Sequence, residues 1–379
     1  MKKVYAIADN IVSPLGFDSQ SNWEAVLRGE SGVKAHNKPG IRLPDFHASL
    51  LDDEKLNEQF DRVTSPAAFT RLEQLYILSI REAIRQCEVK TNSPRTLFVF
   101  STTKGNIDRL AGGHTNAERL GLPAMARHIT RFFGNPHQPV VLSNACISGV
   151  SALLMGSYYI REGQYSHVIV TGGDIISEFT LSGFNSLQAL SAGACKPFDQ
   201  HRDGINLGEA CATVVLSGNA QSGKDIEIRR GGTSNDANHI SGPSRTGEGL
   251  ALAIKNALQY SGLTPQEIGY VSAHGTATVY NDEMEAKALH TTNLHEVPVN
   301  SLKGYYGHTL GAAGVLETVL AMWSLQKQTI LPSRGYRQHG VSLPLAVAME
   351  PIYTNFRHCL KTASGFGGCN AALVLSKND

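Results

Sequence analysis

A cysteine and two histidines in this chain each stand where a buried strand pattern gives way to a turn, and together they could form one nucleophilic site. The cysteine lies in Ser143-Asn144-Ala145-Cys146-Ile147-Ser148-Gly149, where an apolar strand pattern ends and a long apolar helix pattern begins at once. A nucleophile on such a turn is exposed at the top of a sheet, and a helix N-terminus favours its thiolate. Free cysteine is also an ordinary core residue, so Cys146 alone fits a packing role as well. The histidines lie in His274-Gly275-Thr276-Ala277-Thr278 and in Lys303-Gly304-Tyr305-Tyr306-Gly307-His308, the latter running into Gly311-Ala312-Ala313-Gly314 and another helix. Both follow apolar strand patterns, and ligand sites of α/β proteins form at the carboxyl ends of strands. One histidine there is commonly structural. Two in Gly-flanked turns, with a cysteine at a similar topological position, point to one site. Their sequence separations fix no ligand geometry and no Cys-rich or carboxylate-rich shell accompanies them, so no metal is expected.

A fourth segment, Ser364-Gly365-Phe366-Gly367-Gly368-Cys369-Asn370, precedes the last strand pattern. Three glycines around one phenylalanine let backbone N–H groups face a reacting oxygen while the ring forms a movable wall. A tight turn beside an edge strand is the plainer alternative. It leads into a strand rather than a helix, which excludes a phosphate or dinucleotide loop.

The elements that must position these residues are short apolar runs alternating with helical patterns. Strands are expected over 3–8, 96–101, 139–145, 167–172, 269–273, 297–301 and 371–375, several rich in Val and Ile without alternation, as in strands buried on both faces. Ser65-Pro66 reads as a helix cap, followed by apolar residues at steps of three or four from Phe69 to Cys87. Further helices are expected to start near Cys146, Gly249, Asn281 and Gly311. The pattern is that of a layered α/β protein. The polar stretch 217–224 divides the chain into 1–220, with the cysteine, and 221–379, with both histidines. No sequence repeat crosses that boundary.

Composition narrows the classes. Lys+Arg 34 against Asp+Glu 33 gives a net charge of +1, so no global field draws the chain to nucleic acid or an anionic membrane. The apolar run at the amino end is too short for an export signal. Residues 140–160 carry no formal charge, but their Ser, Asn and Gly content suits a helix buried in protein better than one in lipid. The six cysteines form no C-x-x-C pair, so neither a disulfide framework nor a zinc site is expected, and a reducing cytoplasm is the simplest compartment.

With these motifs in their order, the chain resembles the elongating, decarboxylating β-ketoacyl-[acyl carrier protein] synthases. Supporting segments are Val170-Thr171-Gly172-Gly173-Asp174, Lys196-Pro197-Phe198-Asp199 with Arg202-Asp203-Gly204, Gly208-Glu209-Ala210 and Asn300-Ser301-Leu302-Lys303. The resemblance implies a thiolase-like layered αβαβα fold with two similar halves. It implies a Cys146–His274–His308 triad, with Lys303 holding the His308 region and Glu317 pairing near it. The backbone N–H groups of Cys146 and Phe366 would form an oxyanion hole, and Thr276 and Thr278 would contact a phosphopantetheine arm. That arm belongs to an acyl carrier protein, the expected partner, so no resident cofactor is implied. A homodimer, or a heterodimer with a related subunit, is implied as well. Arg202, Arg62 and Arg71 are the expected docking cations for the acidic carrier.

The chain departs from the family pattern at Ser364, where a second phenylalanine is usual, and at Val279 and Asn281. Ser364 implies a wider entrance or acyl pocket. These departures leave a specialised polyketide or polyene synthase open beside fatty acid synthesis. Two other readings are a non-catalytic chain-length-factor-like subunit, against which the intact Cys and two His argue, and a thiolase or starter-type enzyme acting on coenzyme A esters. Two histidines favour the elongating class.

Overall fold

Ten strands form the main sheet among the described residues: β1 (Tyr5–Val12), β2 (Thr96–Ser101), β3 (Val140–Leu142), β4 (His167–Asp174), β5 (Ala210–Ser217), β6 (Ile226–Asn235), β7 (Ile268–Ser272), β8 (Val299–Asn300), β9 (His358–Gly365) and β10 (Cys369–Lys377). The computed structural model describes residues 2–37, 43, 45–110, 120–236 and 242–377. The strand order is β8-β7-β9-β10-β6-β1-β5-β4-β2-β3. Within β1–β5 the order is third, second, fourth, fifth, first, and β6–β10 repeat it. Parallel and antiparallel pairings repeat too: β2 is parallel to β3 and β4 while β5 is antiparallel to β4 and β1, and β7, β8, β9, β10 and β6 follow suit. The chain is therefore a duplicated α/β unit whose duplication survives in topology and not in sequence. Within the main sheet, among the described residues, the halves join where β1 meets β6, at Tyr5–Glu227 and Ala6–Ile226.

Five helices matter for the site: α1 (Arg71–Ile84), α2 (Ser148–Arg161), α3 (Glu248–Ser261), α4 (Val279–Thr291) and α5 (Ala313–Lys327). Helices α2 and α5 touch strands of both halves, whereas α1 packs on the first half and α3 on the second. The layers are thus αβαβα, the thiolase-like architecture. Central position explains composition: α5 is apolar nearly all round and buried along most of its length, as a helix between two sheets must be. The small residues of α2 permit close approach. A Cβ on Gly149 would stand 2.7 Å from Val315 N, and one on Gly314 only 2.4 Å from Val150 N. The two helices therefore meet backbone to backbone at their N-terminal ends, beside Cys146.

That contact gives a prediction. Gly314→Ala should cost about 1–3 kcal/mol through overpacking, read as a lower denaturation midpoint, and should weaken condensation by shifting the Cys146 turn. Gly183→Ala, with open space around it, is the control and should change neither. An unchanged midpoint for Gly314→Ala would show that the helices can part freely.

Helix α1 begins later than its sequence suggests. Pro66–Ala68 is a single 3-10 turn, Phe69 is extended, and α1 starts at Arg71. Thr70 and Glu73 form a reciprocal capping box, which satisfies two orphan N–H groups and outcompetes the Ser65-Pro66 start. No helix among the described residues is long and apolar enough to cross a membrane.

Candidate active site

Cys146 sits in a braced elbow between β3 and α2. Ala145 has a φ of +43°, and the Ser148 hydroxyl accepts from Asn144 N at 2.7 Å and donates to Ala145 O at 2.6 Å. Gly365 closes on the same turn, since a Cβ there would lie 3.0 Å from Cys146 N. Cys146 is 9% exposed and is the one cysteine of six among the described residues lining a cleft of about 450 Å³. Burial pushes its thiol up to about 12, Lys303 draws it back in part, Cys369 opposes, and the Phe366 N–H that faces the sulfur again lowers it. The expected helix-end preference for thiolate is therefore overturned by desolvation: the free site holds a thiol.

His274 begins a loop whose backbone hangs on two buried carboxylates of α4. Glu285 accepts from His274 N at 2.8 Å and from Gly275 N at 2.5 Å, while Asp282 accepts from Thr276 N at 2.9 Å and Ala277 N at 3.2 Å. Ala277 is left-handed at φ +61°, a strain this double clamp can hold. His308 follows a short helical turn, Lys303–Tyr306, and its ring stands 5.2 Å from that of His274 at 85°. Ligand atoms of Cys146, His274 and His308 all lie within 4.8 Å of one another. Burial, then Lys303, pushes both imidazoles well below their ordinary value, so both are neutral. Three such atoms could also hold a metal ion, but a lysine ammonium 3.4 Å from His274 Nδ1 disfavours a dication there.

The lysine fixes more than charge. Lys303 Nζ donates to His274 O at 2.6 Å and to Glu317 Oε1 at 2.7 Å. With Nδ1 facing the ammonium, neutral His274 carries its proton on Nε2 and can donate it. Neither ring nitrogen of the buried His308 has a hydrogen-bond partner among the described residues. Buried polar groups are seldom left so, and a site that leaves one unpaired is made for a visiting group. Glu317 is opposed by burial yet held below the ordinary carboxylate range by Lys303 and Lys361. Lys361 has no place in the sequence reading. Its only signal there is one lysine between Leu360 and Thr362 in the segment Cys359–Ala363.

The remaining residues divide. Thr276 and Thr278 line the cleft with their hydroxyls 2.8 Å apart. Phe366 is 39% exposed, its ring 5.7 Å from that of Phe184, on a turn with Gly367 and Gly368 at φ +87° and +74°. Ser364 also lines the cleft and donates to Asn370 Oδ1 at 2.8 Å. The arginines read as docking cations are engaged elsewhere. Arg71 grips Glu209 with both terminal nitrogens, at 2.8 and 2.9 Å, and Asp53 at 2.6 Å, so its charge is spent inside the fold. Arg202 braces the carbonyls of Asp199 and Gly340. Arg62 is exposed and paired with Glu58.

A duplicated five-layer fold with a cysteine on its elbow and two neutral imidazole donors beside it defines a condensing acyltransferase. The chain belongs to the β-ketoacyl synthase family: the N-terminal domain model matches residues 1–222 and the C-terminal domain model residues 226–337. Its relatives include a putative mitochondrial 3-oxoacyl-[acyl-carrier-protein] synthase of Schizosaccharomyces pombe, 27% identical over 100% of this chain and 99% of the relative. The 3-oxoacyl-[acyl-carrier-protein] synthase 2 of Coxiella burnetii is 28% identical over 99% of each. Among solved structures, a ketosynthase in complex with its chain length factor from Xenorhabdus doucetiae has a TM-score of 0.86 at 26% identity, covering 99% of this chain and 98% of that one. The chain is a condensing enzyme of fatty acid or polyketide synthesis.

Proposed function

We propose that the chain joins an acyl group held on Cys146 to a malonyl-type extender, both delivered by an acyl carrier protein. Cys146 sulfur attacks the carrier thioester, the thioester C–S bond breaks, and the thiol proton leaves with the departing pantetheine sulfur. The extender then loses carbon dioxide, and the electron pair of that bond forms an enolate. His274 and His308 offer N–H donors to the enolate oxygen. The enolate carbon attacks the acyl carbonyl, and the Cys146 thiolate leaves and regains a proton. Cys146 and Phe366 N–H groups would hold the carbonyl oxygen in both acyl-transfer steps, while Thr276 and Thr278 would steady the pantetheine arm. Lys303 and Glu317 would keep the imidazoles in place. The carrier brings its own phosphopantetheine, and the reading uses no resident cofactor.

The observation that carries this reading is a buried His308 with neither ring nitrogen partnered among the described residues and one of them within reach of Cys146 and His274. Incubation with acyl-carrier protein alone should add one acyl mass to the Cys146 peptide. Adding malonyl-carrier protein should then release carbon dioxide and give a carrier-bound β-ketoacyl product. Turnover of free coenzyme A esters with no carrier would favour the thiolase or starter-type reading instead.

Partner geometry rests on an edge. On the second half, β8 is covered, with Val299 N donating to Ala346 O and Ala348 N to Val299 O. Among the described residues, the matching strand of the first half, β3, pairs only with β2 and has no strand on its outer edge. An open edge invites another strand, so a second copy or a related subunit would pair there. Sedimentation at micromolar concentration should find a dimer.

Cleft width follows Ser364. Ser364→Phe should fill space beside Phe366 and shorten the longest carrier-bound product by at least one condensation round, read by mass spectrometry. Unchanged product lengths would mean that the acyl chain runs elsewhere.

A further inference from the structure

Lys361 is fully buried on β9, five residues before Phe366, and nothing in the condensation scheme above employs it. Its Nζ is surrounded by oxygen. Glu317 Oε2 stands 2.8 Å away, Ser272 O and Ala273 O accept at 3.2 and 3.3 Å, and Thr362 O accepts as well. Ser272 and Ala273 are the two residues that lead directly into His274. Glu317 in turn carries Lys303 on its other oxygen, at 2.7 Å, and Lys303 reaches His274 O. One carboxylate thus bridges two ammonium groups, in a chain that runs from β9 through α5 to the start of the His274 loop.

A buried ammonium is costly unless paired and hydrogen-bonded, and an apolar residue on this strand would avoid the cost. Glu317 bridges the two ammonium groups, and Glu285, which holds the backbone of His274 and Gly275, also acts on Lys361, so the two lysines face two buried carboxylates. After burial itself, both lysines oppose protonation of both rings, Lys303 more than Lys361. Negative charge developing on an enolate oxygen is favoured by the same field.

We propose that Lys361 is a second positioning lysine of the condensing site, a tethered cation in an oxygen cage that fixes Glu317 and the backbone entering His274. Without it, Glu317 loses the partner that keeps it between the helix and β9, and Lys303 is drawn off His274. The proposal rests on the condensation reading, and the experiment separates the two.

Lys361→Met keeps the length and removes the charge. The variant should still load acyl groups on Cys146 but condense at least about tenfold more slowly, with the effect in kcat and KM for the malonyl carrier within about threefold. The pH at which its condensation rate begins to fall should lie above that of the wild type, as imidazoles relieved of one cation protonate more readily, with burial and Lys303 still opposing them. The groups facing them are then Lys303, Glu317, Cys146 and, beneath the His274 loop, Glu285 and Asp282. Lys361→Ala should be slower still and recover at least about fivefold when ethylammonium is added to refill the cage, an arm that holds even where Lys361→Met folds poorly. A Lys361→Met enzyme with wild-type kcat overturns the proposal. So does a loss that tracks stability alone, with an unmoved pH profile and no amine rescue. A wild-type enzyme that loads Cys146 but never condenses removes the reading beneath it, whatever the variants do.

Discussion

Removing Cys146 should end condensation outright, and the intact thiol should behave as a thiol until substrate arrives. Cys146→Ala leaves no sulfur in the cleft, since the other five cysteines do not line it, so neither acyl loading nor product should be detected. The pH dependence is the sharper test. With burial holding Cys146 near 12, the reactive thiolate fraction at neutral pH is small. A small neutral alkylating agent should therefore modify Cys146 about tenfold faster for each unit of pH from 7 to 10, with no plateau. The sign follows from the raised value: a group whose acid form is favoured by burial yields its anion only as pH climbs. A plateau near pH 7, followed by mapping of adducts to Cys146, would mean that an imidazole has already taken the proton. The neutral-pair picture of the resting site would then be wrong.

The motifs that carry chemistry are legible because each is a local constraint. Gly275 must reach φ +45° and Gly307 φ +64°, and those turns hold their glycines beside the histidines in sequence as well as in space. The strands leading to them were readable from Val and Ile runs. Strands β5, β6 and β9 fall outside the expected set; β5 does carry an apolar run, ACATVVL, whose signal went unread between the Gly208-Glu209-Ala210 segment and the polar stretch 217–224, whereas β6 and β9 lack one. β6 carries Arg229, Arg230, Gly231 and Gly232, and β9 carries His358, Lys361 and Thr362, so neither presents an apolar run. Their polar residues are paid for by partners far away in sequence: Lys361 by Glu317, Thr362 by Glu285. Such long-range pairing has no local signature, and this is why Lys361 escapes a reading of motifs. The duplication hides for the same reason, because strand order is a property of pairing and not of residue type. Arg71 shows the converse. Its place beside the Ser65 helix start suggested a surface cation, but whether its guanidinium is free depends on Glu209, 138 residues away.

The two histidines should part company in stability while agreeing in activity. His274 receives Lys303 at Nδ1, whereas both nitrogens of His308 are buried without a partner among the described residues. Either His274→Ala or His308→Ala should lower condensation by about a hundredfold or more, the usual scale for losing a donor to a developing oxyanion, while acyl loading of Cys146 persists. Wild-type condensation should stay level between about pH 6 and 8 so far as these groups are concerned, because both already titrate well below the ordinary histidine value. Folding tells them apart. His274→Ala strips a neighbour from the Lys303 ammonium and leaves a cavity, so the denaturation midpoint should drop. His308→Leu replaces two unsatisfied nitrogens with apolar volume, relieving a desolvation cost of about 1–3 kcal/mol, so its midpoint should rise. A protein stabilised by the change that silences it is what a preorganised site predicts, since the site holds His308 unpaired for the substrate. If His308→Leu unfolds more readily than wild type, His308 has a structural partner and the enolate must find its second donor elsewhere.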